Sequence, residues 1–118
     1  MKTLLEGNEM RFILNGRTFD TATSKALAVY RAVEIDTNNS GRIGVFDGAQ
    51  EVRLEMVLYR TAKGALFIHD HSTVKYRSGR PVVDDSATEV NAQEAVKWIE
   101  SNRAAIISPA DLPLPPEA

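Results

Sequence analysis

The segment from Asp36 to Asp47 carries oxygen-bearing side chains at the spacing of a calcium-binding EF-hand loop. Such a loop needs oxygen ligands at alternate positions, a glycine for the sharp turn and a closing carboxylate. The candidate ligands are Asp36, Asn38, Ser40 and Asp47, and the turn glycine is Gly41. Against a metal site, the closing residue is Asp rather than the longer Glu, and the same residue types form ordinary turns. We favour an ordinary loop over residues 36–48 and keep a calcium site as the alternative.

His69 and His71 are the two histidines of the chain and form the second candidate site. Side chains alternate along a strand, so both rings lie on one face. The register argued below places Glu55 opposite His71, which gathers ligands of the kind that an open zinc site uses. No further ligand is identifiable, and histidines on a half-exposed sheet are common. We favour a surface or partner-contacting role over a metal site.

A basic and aromatic group is the third candidate, because rings that stack on bases and cations that bind phosphates favour single-stranded nucleic acid. Its members are Lys75, Tyr76, Arg77 and Arg80, with Arg60, Tyr59 and Phe67. The cations are few, and Asp84 and Asp85 follow closely, so a solvated face is favoured. Nucleic-acid binding stays a further alternative that we do not expect.

Composition removes several classes of protein. The 118 residues include no cysteine, which excludes disulfides, thiolate metal sites and cysteine nucleophiles. The net charge is −2, so the chain lacks the positive field of a duplex-DNA binder. No apolar run has the length of a membrane span or a signal-peptide core, so we predict a cytoplasmic protein without a membrane partner. No serine elbow, phosphate-binding loop or dinucleotide motif is present, and we predict a non-enzymatic protein without a cofactor.

The elements that position these residues begin with a hairpin over residues 11–20. Asn15 and Gly16 are the residue types that a type I′ turn requires. This turn pairs Phe12 with Phe19 across the two strands, which supports the register.

Residues 25–35 alternate in the manner of a strand, although their alanine content also permits a helix. We choose the strand, which leads into the loop over residues 36–48. A second hairpin is predicted over residues 52–61 and 65–71.

The turn of this second hairpin sets the two faces of the sheet. A three-residue turn that ends at Gly64 places Leu58 opposite Ile68 and Tyr59 opposite Phe67. One face then collects the predicted core residues Leu54, Met56, Leu58, Leu66 and Ile68. The other face is half polar and carries the residues that we predict to bind a partner protein, Tyr59, Phe67, His69 and His71.

After a short extended Val82-Val83, residues 91–102 are predicted to form one amphipathic helix that packs on one face of an antiparallel sheet of hairpins, which is an α+β fold. Asn91 and Glu94 are placed as a capping box. The apolar stripe of the helix is Ala92, Ala95, Val96 and Ile99.

The predicted organisation is a flexible extension over residues 1–9, a single domain over residues 10–107 and an extended, proline-rich tail over residues 108–118.

Residues 13–21, 58–64 and 93–100 together resemble, in the same order, a group of short uncharacterised bacterial proteins often carried on plasmids and other mobile elements. The resemblance implies an accessory cytoplasmic protein that begins in effect at Met10, with no activity or site residue to carry over. By analogy with small proteins of mobile elements, it favours an interaction role.

We therefore expect a small accessory protein that acts by protein–protein interaction, in one form an inhibitor encoded by a mobile element. A small calcium or zinc module is the alternative, and single-stranded nucleic-acid binding the further alternative. Monomer and homodimer both stay open, because an exposed edge strand can pair two copies.

Overall fold

The computed structural model describes residues 9–112 of the chain. Its strands are β1 (Arg11–Leu14), β2 (Arg17–Asp20), β3 (Lys25–Ile35), β4 (Arg42–Ile43), β5 (Phe46–Asp47), β6 (Ala49–Arg60), β7 (Leu66–Tyr76), β8 (Val82–Val90) and β9 (Ala105–Ile106). Helix α1 spans Ala92–Asn102, and a 3₁₀ turn spans Pro109–Asp111. The chain is an α+β protein dominated by antiparallel strands, as the sequence predicts.

Five strands form one antiparallel sheet in the order β8-β7-β6-β3-β9. The strand predicted over residues 25–35 is confirmed as β3, which pairs with β6 from Lys25 to Ile35. Two hairpins, β1–β2 and β4–β5, lie outside this sheet.

Both predicted hairpin registers are confirmed. Asn15 and Gly16 have positive φ values of 53° and 75°, as both central residues of a type I′ turn require, and Phe12 pairs with Phe19. In the second hairpin, Leu58 pairs with Ile68 and Tyr59 with Phe67.

The sheet has two ends that differ in how they are covered. At the proximal end, where β3 and β7 begin, both faces carry a buried cluster. On the Phe67 face, the hairpin β1–β2 places Phe19 in a cluster with Val29, Val57, Tyr59 and Phe67. On the opposite Leu58 face, Ala95 of α1 is buried with Leu27, Ala28, Leu58, Leu66 and Ile68, and Trp98 and Ile99 pack against this cluster.

At the distal end, where β3 and β7 finish, the cover is much smaller. Ile43 of β4 is buried with Ala49 and Val74, and Val52 and Tyr76 pack against them. Alternation along β6 and β7 places Val52, Val74 and Tyr76 on the Leu58 face. Ala49 joins them because it pairs with Tyr76 beyond a β-bulge. The Phe67 face has no buried cluster at the distal end among residues 9–112.

Helix α1 begins at the predicted capping box and ends at a left-handed residue that the sequence analysis did not predict. The Asn91 side chain accepts a hydrogen bond from the Glu94 N–H, and the Glu94 carboxylate accepts one from the Asn91 N–H, which completes the capping box. Arg103 adopts a left-handed conformation at φ 51° and ends the helix.

Two predictions for individual segments were wrong. The loop over residues 36–48 contains the hairpin β4–β5, because Ile43 supplies an apolar anchor for it. The short extended Val82-Val83 is the start of β8, which runs to Val90 and pairs with β7 from Val74 to Leu66. Its middle is polar and has low strand propensity, so the ladder with β7 determines its conformation.

The chain after Ile107 lies against the start of β3. The Ser108 hydroxyl donates to the Ala26 carbonyl oxygen at 2.9 Å, and Asp111 pairs with Lys25 at 2.5 Å. Of the predicted extension over residues 1–9 and the tail over residues 108–118, residues 1–8 and 113–118 lie outside the described part of the chain.

Candidate interaction surface

The face predicted to bind a partner is part of the core, so this prediction is wrong for Tyr59, Phe67 and His69. All three side chains are buried, because the hairpin β1–β2 folds over them. The Phe67 ring meets Phe19 edge to face at 5.3 Å between centroids and stacks on Tyr59 at 5.2 Å. Burial raises the pKa of the Tyr59 hydroxyl to about 12, and the nearby Glu55 charge adds to this shift.

His71 lies at the border of this covered region and is half-buried. The predicted pairing of His71 with Glu55 across β6 and β7 is confirmed. However, the Glu55 carboxylate binds the Arg31 guanidinium at 2.5 Å, and His71 turns to Asp85 of β8 instead. No group of three histidine or acidic side chains suited to a metal ion exists among residues 9–112, so the structure does not support a zinc site here.

Asp85 joins the two histidines, and sequence reasoning missed this role. Its Oδ1 lies 2.9 Å from Nε2 of His69 and 2.8 Å from Nδ1 of His71. Burial raises the pKa of the Asp85 carboxyl, but the hydrogen bonds from His71 and His69 outweigh it and hold this pKa below its usual value. The register of β8 against β7, which pairs Asp85 with His71, is the signal that identifies it.

The geometry assigns a structural role to this His69–Asp85–His71 cluster. The buried Nδ1 of His69 has no hydrogen-bond partner within the described chain. The centroids of the Phe12 and His69 rings lie 5.0 Å apart.

The predicted calcium loop is organised by its own hydrogen bonds. Asp36 Oδ1 accepts from the Ser40 N–H and hydroxyl, at 2.9 and 2.8 Å. Oδ2 accepts from the Gly41 N–H at 2.8 Å and from the Arg77 guanidinium at 2.6 Å. The Gly41 N–H, the Ser40 hydroxyl and Arg77 hold the pKa of this carboxyl well below its usual range.

These contacts leave the predicted ligand set dispersed. Both oxygens of Asp36 are engaged, and a guanidinium occupies the place where a cation would bind. Asp47 lies opposite Arg42 in the strand register of β4–β5, and Asn38 and Ser40 are exposed. The arrangement is that of an anchored loop, in which Arg77 supplies the positive charge.

The basic and aromatic candidates are likewise not assembled on one surface. Tyr59 and Phe67 are buried. Arg77 is committed to Asp36, and Arg60 lies 3.7 Å from Asp111 at the proximal end. No continuous stripe of rings and cations results.

Exposed apolar side chains concentrate at the distal end. Large exposed apolar residues at this end are Val33, Ile35, Val45, Phe46, Val82 and Val83. Val45 and Phe46, at the tip of β4–β5, are 85% and 37% exposed. Elsewhere on the described chain, the large exposed apolar residues are Ile13, Ile106 and Ile107. The distal end is therefore the apolar part of the surface that this fold leaves open.

Within residues 9–112 no helix has the length and apolarity to cross a membrane. No protein-family model, no curated protein and no solved structure gives a significant match to this chain.

Proposed function

We propose that this protein acts by binding another protein through the distal end of its sheet. The observation that carries the proposal is the hairpin β4–β5, which presents the exposed Val45 and Phe46 at its tip. Clustered apolar side chains on a surface mark interaction sites, and aromatic residues are common at the centres of interfaces.

The hairpin β4–β5 is anchored at its base by hydrogen bonds and by one buried side chain. Asp36 ties Ser40, Gly41 and Arg77 together at its base, and Ile43 is buried beneath it. The Gly48 carbonyl oxygen also accepts from the Arg77 N–H at 3.1 Å. A preordered loop loses little conformational entropy on binding, which favours affinity.

The partner-binding residues are then Val45 and Phe46 in place of Tyr59, Phe67 and His69, and the class of function is the one that the sequence predicts. By the analogy with small proteins of mobile elements, the partner is a host or defence protein that this chain inhibits. That identity stays a prediction.

The test uses the purified chain as bait in a lysate of its source organism, with bound proteins identified by mass spectrometry. The variant Val45→Ser with Phe46→Ser removes the apolar tip and leaves the Asp36 network in place. The matched control is Ile13→Ser, because Ile13 is 79% exposed on the other hairpin. Each recovered protein is then purified and its affinity measured by calorimetry.

We expect a protein that binds the wild type and Ile13→Ser equally, and that binds the tip variant at least about tenfold more weakly. Equal binding of all three chains would overturn the assignment of the surface. Absence of any bound protein would overturn the proposed function itself.

A further inference from the structure

The edge of β3 is open over its second half. On that side β9 pairs only with Ala28 and Val29, so within residues 9–112 no strand lies beside residues 30–35. On its other side β3 pairs with β6 as far as Ile35. An unpaired edge offers backbone donors and acceptors to another strand.

The direction of these backbone groups follows from one hydrogen bond. The Asp36 N–H donates to the Gln50 carbonyl oxygen at 3.0 Å, so position 36 points toward β6. Backbone direction alternates along an antiparallel strand, so Arg31, Val33 and Ile35 turn their N–H and C=O groups to the open edge.

The Ile35 carbonyl oxygen is engaged within the chain, since it accepts from the Thr37 N–H at 2.9 Å. At the open edge Arg31 and Val33 therefore offer both backbone groups, and Ile35 offers its N–H.

The two edge strands of the sheet, β8 and β3, differ in how well they are protected against pairing with another strand. β8 follows Pro81, carries Asp84 and Asp85, and is contacted by β1. Proline, charge and a covering element are the devices that block edge pairing. Residues 30–35 of β3 include no proline, glycine or bulge, and their two charges, Arg31 and Glu34, have opposite signs. Val33 and Ile35 are 52% and 58% exposed.

We infer that β3 pairs with β3 of a second copy of this chain, antiparallel, with the two-fold axis at Val33. In this register Val33 lies opposite Val33 of the other copy, and Arg31 lies opposite Ile35. The two Val33 residues then exchange both backbone hydrogen bonds, and the Ile35 N–H faces the Arg31 carbonyl oxygen of the second copy. The exposed apolar side chains of Val33 and Ile35 pack close to the axis.

Neighbouring registers are worse. An axis at Ala32 places Ile35 opposite Val29, whose edge is already taken by β9. An axis at Glu34 places two glutamates directly opposite each other, which is unfavourable. The axis at Val33 is the one that avoids both faults.

The first test is sedimentation velocity from about 1 μM to about 1 mM, a range that includes weak, transient dimers. Val33→Pro removes an outward N–H and keeps the ladder with β6, because proline is tolerated on an edge strand. The matched control is Val83→Pro, since the same alternation makes Val83 outward on β8. Circular dichroism checks that both variants fold. If Val33→Pro does not fold, Val33→Lys is used in its place.

We expect concentration-dependent dimers in the wild type and in Val83→Pro, with the dimer dissociation constant raised at least about tenfold in the Val33 variant. A wild type that is monomeric throughout, or a Val33 variant that dimerises like Val83→Pro, would overturn the inference.

The second test fixes the register. The chain has no cysteine, so Val33→Cys introduces a single thiol. Opposite residues in a hydrogen-bonded pair have Cα atoms about 5.5 Å apart, within disulfide reach. Oxidation should link Val33→Cys into dimers and leave Val83→Cys monomeric, and equal cross-linking would refute the axis.

This inference is separate from the proposed function, because Val33→Pro leaves the tip of β4–β5 intact. A monomeric wild type whose capture of a partner is lost in Val33→Pro would show that the edge takes a partner's strand, and the second-copy inference would then fail.

Discussion

Replacing Phe67 by alanine tests whether the Phe67 face is core or binding surface. The ring is fully buried between Phe19 and Tyr59, with centroid distances of 5.3 and 5.2 Å. Truncating a buried phenylalanine to alanine costs about 3–5 kcal/mol. Loss of two aromatic contacts places Phe67→Ala toward the upper part of this range. A domain of this size has a total stability of about 5–15 kcal/mol, so adding Tyr59→Ala should unfold the chain.

The assay is urea unfolding, followed by far-ultraviolet circular dichroism and by the fluorescence of Trp98, the one tryptophan of the chain. With a urea dependence of about 1–3 kcal/mol per molar, Phe67→Ala should lower the midpoint by at least about 1 M. The control Ile13→Ala removes an exposed side chain and should change stability by less than about 0.5 kcal/mol. A loss below about 1 kcal/mol in Phe67→Ala would refute the buried assignment.

Two further predictions concern the acidic anchors. Asp36→Asn should increase hydrogen exchange at the Ser40 and Gly41 amides while α1 stays protected. Millimolar calcium should not raise the melting temperature of the wild type. A calcium-dependent rise in this temperature would restore the metal hypothesis. Asp85→Ala should lower the free energy of unfolding by about 1–3 kcal/mol at pH 7, because it leaves buried His69 without its acceptor. The pKa of Asp85 is lowered on folding, so its contribution is present above the unfolded value of about 4 and lost as the pH falls through the folded value. The difference between wild type and variant in urea midpoint should therefore shrink toward pH 3, and a constant difference would contradict this assignment.

Local signals in the sequence predict much of the fold. Asn15 and Gly16 specify a turn that only one register of β1 and β2 satisfies. The turn at Gly64 does the same for β6 and β7, and Asn91 with Glu94 locates the start of α1. In each case the determining residues lie within a few positions of the structure that they specify.

The partner face was predicted wrongly because its cover comes from a distant part of the chain. Alternation in β7 shows that Phe67 and His69 share a face, but it does not show which element folds over that face. The signal was in the first hairpin, where Phe12, Leu14 and Phe19 form an apolar side that has to be buried. The contact of Asp85 with the two histidines was not predicted, because the polar residues around Asp85 have low strand propensity and β8 was therefore not predicted as a strand.

The open distal end follows from the lengths of the elements. β6 has 12 residues and is about 40 Å long. Helix α1 has 11 residues and is about 16 Å long, and each strand of β1–β2 has four residues and spans about 13 Å. Neither cover can reach both ends of the sheet. Stability alone would favour shorter strands or polar ends, yet β3 continues with Val33 and Ile35 exposed. Among residues 9–112, these apolar side chains at the distal end are the observation from which we propose that another chain binds there.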